Sequence, residues 1–259
     1  MMKTGFVSIT FRDRSAEDIV KLVSEAKLEG IEWGGDVHVP HGNLSRAREV
    51  RRLTEDAGLE VSAYGSYYRF DDCLSHSRES EPSWNAVLDT ANELGAPWIR
   101  VWAGRLGSEA TSDAMRQAIV ERCLYVSDQA MHRGIKVGFE FHDSTLTDSN
   151  EATAKLLEAV GHPNLFTFWQ PYLCVEQAYR LEGLKRLLDK IGNVHCNHFS
   201  KAGWPHSLLL EEGEADWGEF LEVLRSDGTD RWISIEHVRD HSVENFYRDA
   251  ETLRRWIHG

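Results

Sequence analysis

Short runs rich in apolar, β-branched and aromatic residues alternate along the chain with longer stretches whose apolar positions recur every three or four residues. The short runs fall at 5–11, 31–34, 59–64, 98–102, 136–141, 165–169, 194–199 and 232–236 and read as strands. The first helical stretch opens on Ser15-Ala16-Glu17-Asp18, a capping-box arrangement, and continues with Ile19, Leu22, Val23 and Ala26 on one face. Further helical patterns cover 44–57, 82–94, 112–133, 150–160, 175–191, 217–225 and 243–257. Gly30, Gly58, Gly95, Gly134, Gly161 and Gly192 stand where such helices end, a place that favours glycine because the backbone turns left-handed there.

Strands that alternate with helices imply right-handed crossovers and a parallel sheet. Eight such units within 259 residues favour an α/β fold of the closed (β/α)8 TIM-barrel kind over an open sheet. No linker or low-complexity tract interrupts the series, so residues 1–259 are expected to form a single domain. The first strand-to-helix turn lacks GxGxxG, which argues against dinucleotide binding.

Charge narrows the partners. The net charge of -13 and the lack of a Lys/Arg-rich run disfavour nucleic acid. No stretch approaches the length of apolar chain that a membrane span needs, and the first residues carry no signal-peptide pattern, so a cytoplasmic protein is expected. The four cysteines, Cys73, Cys123, Cys174 and Cys196, form no CxxC pair and suit reduced thiols.

In a barrel of this kind, functional groups collect at the C-terminal ends of the strands. The fifth run ends Phe139-Glu140-Phe141-His142, the sixth Phe168-Trp169-Gln170-Pro171, and the eighth Ser234-Ile235-Glu236-His237. The seventh passes through His195-Cys196-Asn197-His198-Phe199-Ser200-Lys201. Glu140, Gln170, His198 and Glu236 thus finish four successive strands. Oxygen donors with one imidazole suit a single divalent ion, Mn2+ first, with Zn2+, Mg2+ or Co2+ as alternatives. Two carboxylates and a neutral His supply the charge that balances such an ion; without it the carboxylates repel and one takes up a proton.

These segments resemble the xylose isomerase-like barrels, the sugar phosphate isomerase/epimerase family. The resemblance spans nearly the whole chain. It is carried by Gly30-Ile31-Glu32-Trp33-Gly34-Gly35, Phe139-Glu140-Phe141-His142, Thr145-Leu146-Thr147-Asp148, Trp169-Gln170-Pro171, Asn197-His198-Phe199-Ser200-Lys201 and Ser234-Ile235-Glu236. It implies Glu140, His198 and Glu236 as metal ligands. Gln170 stands where the family usually has Asp, and its carboxamide keeps an oxygen donor while removing a charge. Leu173 replaces a His that sugar 3-epimerases carry, and Trp204 and Pro205 occupy a region where those enzymes carry an Arg. The chain therefore reads as a divergent member.

The resemblance also implies that Glu140 and Glu236 act as an acid–base pair in an isomerase or epimerase. The proton next to the carbonyl of a small sugar would move through a metal-stabilised enediolate. A lyase or dehydratase on a keto-sugar or keto-inositol would share the first step, and a non-catalytic barrel subunit is the remaining alternative. Candidate substrate-binding residues are His142, Lys201, His38, Trp102, Trp169 and Trp204, the aromatic ones because rings stack on sugar C–H faces. Arg100, inside the fourth strand, needs a partner for its charge. The expected partner is a small carbohydrate, and the family's usual assembly is a homodimer or homotetramer.

Overall fold

The computed structural model describes residues 1–70, 82–203 and 205–259. Among these residues the strands are β1 (Met2–Val7), β2 (Gly30–Gly34), β3 (Glu60–Arg69), β4 (Trp98–Trp102), β5 (Lys136–Glu140), β6 (Leu165–Trp169), β7 (Ile191–Cys196) and β8 (Arg231–Ile235). The helices are α1 (Ala16–Glu25), α2 (Leu44–Asp56), α3 (Trp84–Leu94), α4 (Asp113–His132), α5 (Asn150–Val160), α6 (Gln177–Leu187), α7 (Glu214–Arg225) and α8 (Val243–His258). Every neighbouring pair of strands is parallel, and β8 pairs with β1 to close the (β/α)8 barrel. No described helix is long and apolar enough to cross a membrane.

Local chemistry sets the helix starts. Ser15, Asn43, Ser83, Ser112, Ser149 and Ser242 each accept a hydrogen bond from a backbone N–H in the first turn of the helix that follows. Gly58, Gly95, Gly134 and Gly161 take the expected left-handed backbone. Gly30 and Gly192 do not, because they lie inside β2 and β7.

Alternation along each strand sorts side chains into two cores. Ile99, Val101, Val137, Phe139, Leu165, Trp169, Val194, Cys196, Ile233 and Ile235 belong to one large apolar cluster shared with the helices. The residues between them face the lumen, where Ala63, Trp98 and Phe168 form a small separate cluster. Near the N-terminal ends of the strands, indole rings fill the lumen where glycines leave room. A Cβ on Gly192 would stand 2.5 Å from Trp98, and one on Gly30 2.6 Å from Trp232. That close approach is what the two glycines are for.

Candidate metal centre and cleft

Above this aromatic floor the lumen turns polar. Arg100 of β4 is 1% exposed and donates from Nε to Glu32 Oε1 at 2.6 Å and from Nη1 to Glu140 Oε2. Glu32 of β2 places its other oxygen 3.0 Å from His195 Nε2. His195 Nδ1 stands 3.3 Å from Glu236 Oε2, and His237 Nε2 lies 3.5 Å from the same oxygen. A chain of groups from Glu140 through Arg100, Glu32 and His195 to Glu236 therefore crosses the barrel.

Burial disfavours every charge here, and pairing reverses most of that. Burial would raise the Glu32 carboxyl, but Arg100 and His195 hold it below the usual range. Burial is likewise overcome at Glu236, held well down by His195 and His237. The His195 imidazole, which burial alone would push down, is raised to about 10 by Glu236 and Glu32. At His237 burial wins over Glu236 and Glu140, and the pKa falls. Three carboxylates face one guanidinium, so with His195 neutral the lumen carries two uncompensated negative charges. A proton on His195 offsets one of them.

Glu140, His195 and Glu236 each offer a ligand atom, and these atoms all lie within 4.8 Å of one another. Among the described residues, His195 Nδ1 and Glu236 Oε2 are buried without a hydrogen-bond partner, even though they approach each other. An imidazole nitrogen and a carboxylate oxygen that lack hydrogen bonds, in a lumen with more carboxylates than guanidinium groups, form a donor set that a divalent cation satisfies once it displaces the His195 proton. The chemistry of the residues fits the group.

The structure brings together two of the four expected ligands, Glu140 and Glu236, and seats His195 rather than His198 with them. The cause is register. The expected helix over 175–191 stops at Leu187, a 3-10 turn covers Leu188–Lys190, and β7 ends at Cys196 rather than 199. His195 then faces the lumen, while His198 lies beyond the strand with its ring against Gly213, where a Cβ would stand 2.7 Å from Nδ1. His198 lines a cavity of about 540 Å³ with Lys201, Arg180, Asp216 and Trp217, which shares Leu173 and Phe199 with the neighbouring cleft, and burial lowers its pKa. Gln170 donates from Nε2 to the Phe141 carbonyl at 2.9 Å and accepts from Asn197 Nδ2 at 3.1 Å. That fixes its carboxamide at the rim of the lumen.

A cleft of about 720 Å³ opens over the cluster, lined by Glu140, Phe141, His142, Gln170, Tyr172, Leu173, Phe199 and His237, among others. His142 stacks on Trp102, ring centroids 4.4 Å apart, and its Nδ1 lies 2.8 Å from the Asp143 carbonyl oxygen. Arg69 covers Trp102 at 3.9 Å, so Trp102 supports His142 from behind. Trp169 and His38 are not at the cleft. Trp169 points outward and packs 5.0 Å from Phe220. Both His38 ring nitrogens are engaged, with Ser8 Oγ at 3.0 Å and the Arg14 carbonyl at 3.2 Å. Trp204 lies outside the described residues. Glu32, His195 and His237 were not singled out as ligands or substrate contacts from the sequence. The alternation of Val194 and Cys196 outward with His195 inward was the available signal.

Residues 20–256 match the family model described as xylose isomerase-like TIM barrel. The chain belongs to that family. Among xylose isomerase-like barrels and their relatives it is 26% identical over 263 residues to a 3-dehydroshikimate dehydratase of Bacillus anthracis, covering 91% of this chain and 90% of that one. A xylose isomerase-like TIM barrel protein from Mycobacterium smegmatis, solved in complex with magnesium, superposes with a TM-score of 0.76 at 17% identity, covering 98% and 96% of the two chains. The apo 3-keto-D-glucoside 4-epimerase of E. coli gives 0.75 at 18% identity, covering 98% and 99%. These structural likenesses are likenesses of fold.

Proposed function

We propose that this xylose isomerase-like barrel is a divalent-metal-dependent isomerase or epimerase of a small polyhydroxylated ketone. Glu140, His195 and Glu236 would hold the ion, with the Gln170 carboxamide beside them. Mn2+ is the expected metal, with Zn2+, Mg2+ and Co2+ as the other hard or borderline ions the set accepts. The observation that carries the reading is the double membership of Glu140, which belongs to the ligand cluster and also lines the cleft. When bound, the cation supplies a Lewis acid that polarises a substrate carbonyl and lowers the energy of an enediolate.

The residues do the proton work. Glu140 takes the proton from the carbon next to the carbonyl; that C–H bond breaks, its electron pair forms the C=C bond, and the carbonyl π pair moves to oxygen. Arg100 holds one Glu140 oxygen and orients the carboxylate for this step. His237, which lines the cleft, returns a proton to the carbon, and the Glu236 carboxylate, 3.5 Å from its Nε2, holds the imidazole in place. Phe141, Tyr172 and Phe199 shed water from the cleft and offer faces to the C–H side of a sugar. His142, braced by Trp102, is placed to hydrogen-bond a hydroxyl.

A second reading is favoured by the dehydratase relative, which matches along nine-tenths of both chains. There the same abstraction is followed by loss of a β-hydroxyl: the C–O bond breaks, a C=C bond forms, and the hydroxyl leaves as water on taking a proton. One experiment separates the readings. The Mn2+-loaded protein is incubated in D2O with ketopentoses, ketohexoses and 3-dehydroshikimate and followed by NMR and ultraviolet absorbance. Deuterium entering a ketose, lost in Glu140→Gln, supports the isomerase. A new conjugated chromophore supports the dehydratase. Exchange that persists in Glu140→Gln, or no turnover of any of these substrates, overturns the assignment.

A further inference from the structure

We infer that Glu32 is a positioning residue for the cation cluster, fixing His195 through one carboxylate oxygen and the guanidinium that holds Glu140 through the other. This rests on the cation site proposed above. Glu32 is 2% exposed and is not among the residues that line the cleft, so it acts through its neighbours rather than on a substrate.

Each oxygen has one task. Oε2 lies 3.0 Å from His195 Nε2. In the cation-bound protein, with the Nε2–H donated there, the lone pair of His195 would sit on Nδ1, the nitrogen that faces Glu236 and lacks a hydrogen-bond partner. An imidazole whose second nitrogen is tied to a carboxylate is held in one tautomer and one ring orientation, and becomes a better donor. Oε1 accepts from Arg100 Nε at 2.6 Å. This turns the guanidinium so that only Nη1 meets Glu140, and Nη2 stays without a hydrogen-bond partner. Without Glu32 the planar fork of Arg100 is free to close on both Glu140 oxygens, the geometry a guanidinium and a carboxylate favour. Glu140 would then be withdrawn from the cluster.

The surrounding backbone is arranged for this. The β2–β3 register shifts between Ile31 and Glu32, and such an irregularity re-aims a side chain. Across from it, Gly65 leaves the space the pair occupies: a Cβ there would stand 2.6 Å from Arg100 Nη2 and 3.0 Å from Glu32 Oε1.

The test is Mn2+ binding to wild type, Glu32→Gln and Glu32→Asp, read by the EPR signal of free Mn2+ with no substrate present. Circular dichroism and urea unfolding of the metal-free proteins report folding. In parallel, 15N NMR of the Mg2+-loaded wild type reads the His195 tautomer. Glu32→Gln is expected to weaken Mn2+ binding by about 10–100-fold while staying folded, as loss of a ligand's supporting carboxylate does elsewhere. Glu32→Asp is expected to lie between, and wild-type His195 to carry its proton on Nε2. Folded variants with wild-type Mn2+ affinity, or a wild-type His195 protonated on Nδ1, overturn the inference while the cation site stands. A wild type that binds no Mn2+ overturns the site and the inference together.

Discussion

His195 and His198 lie three residues apart on one strand and its extension, yet they face opposite sides of the barrel wall. His195 meets Glu32 and Glu236 in the lumen; His198 packs against Gly213 beside Asp216 and Trp217. An odd spacing along a strand has this consequence. His195→Ala is therefore expected to weaken Mn2+ binding by more than the roughly 10–100-fold typical of a residue that only orients a ligand. His198→Ala should leave Mn2+ binding at the wild-type level. Titration calorimetry on the two variants checks both statements; the reverse result would return His198 to the cluster.

Arg100 is the guanidinium among three lumen carboxylates and touches two of them, Glu32 and Glu140. Replacing it by Met leaves Glu32 and Glu140 buried without their strongest partner, which costs about 3–5 kcal/mol for pairs broken in this way. Urea unfolding of the metal-free variant measures the loss. Mn2+ should restore part of it, because a ligand that binds only the folded state stabilises that state.

Gly65 is expected to be intolerant of even a methyl group. In Gly65→Ala the new Cβ meets the Arg100 and Glu32 side chains inside van der Waals contact. Overpacking of this kind costs about 1–3 kcal/mol. The distinguishing measurement is Mn2+ affinity, which should fall along with the unfolding midpoint because the displaced groups are those that support Glu140 and His195.

Asp249 on α8 gives a pH dependence remote from the cluster. It is 1% exposed, and burial pushes its carboxyl up to about 7 even though it accepts a hydrogen bond from the Leu210 N–H at 2.8 Å. A carboxyl whose folded pKa lies above its unfolded value binds its proton more tightly in the folded state. Its contribution is greatest below the unfolded pKa and is lost as pH rises through about 7. Wild type should thus lose up to about 4 kcal/mol from this group between acid and pH 8. Asp249→Asn, which keeps an acceptor for Leu210, should be more stable than wild type at pH 8. Urea midpoints of the two proteins at pH 5 and pH 8 test this, and a constant difference between them would sink it.

The pattern of apolar positions located the barrel because each strand is covered on both faces and each helix on one. β4, β6 and α5 fall at 98–102, 165–169 and 150–160, where the pattern put them. The cluster was legible only in part. Glu140 ends β5 and Glu236 follows β8, strands whose limits the sequence marks to within a residue. β7 runs from Ile191 to Cys196 instead of 194 to 199, so His195 is the histidine inside the strand and His198 lies beyond it. Trp169 was read as a substrate contact for the same kind of reason: it ends a strand, but on the outward face. Glu32 and His195 touch across 163 residues of chain, a juxtaposition that only closure of the barrel creates.

The indoles of Trp98 and Trp232, seated over Gly192 and Gly30, stopper one end of the barrel. Among the described residues the polar chamber is consequently closed at that end and opens to the cleft at the other. Under the proposed function, product would leave through the same cleft by which substrate entered. Turnover would then depend on the traffic through that mouth as well as on the bonds broken at its base.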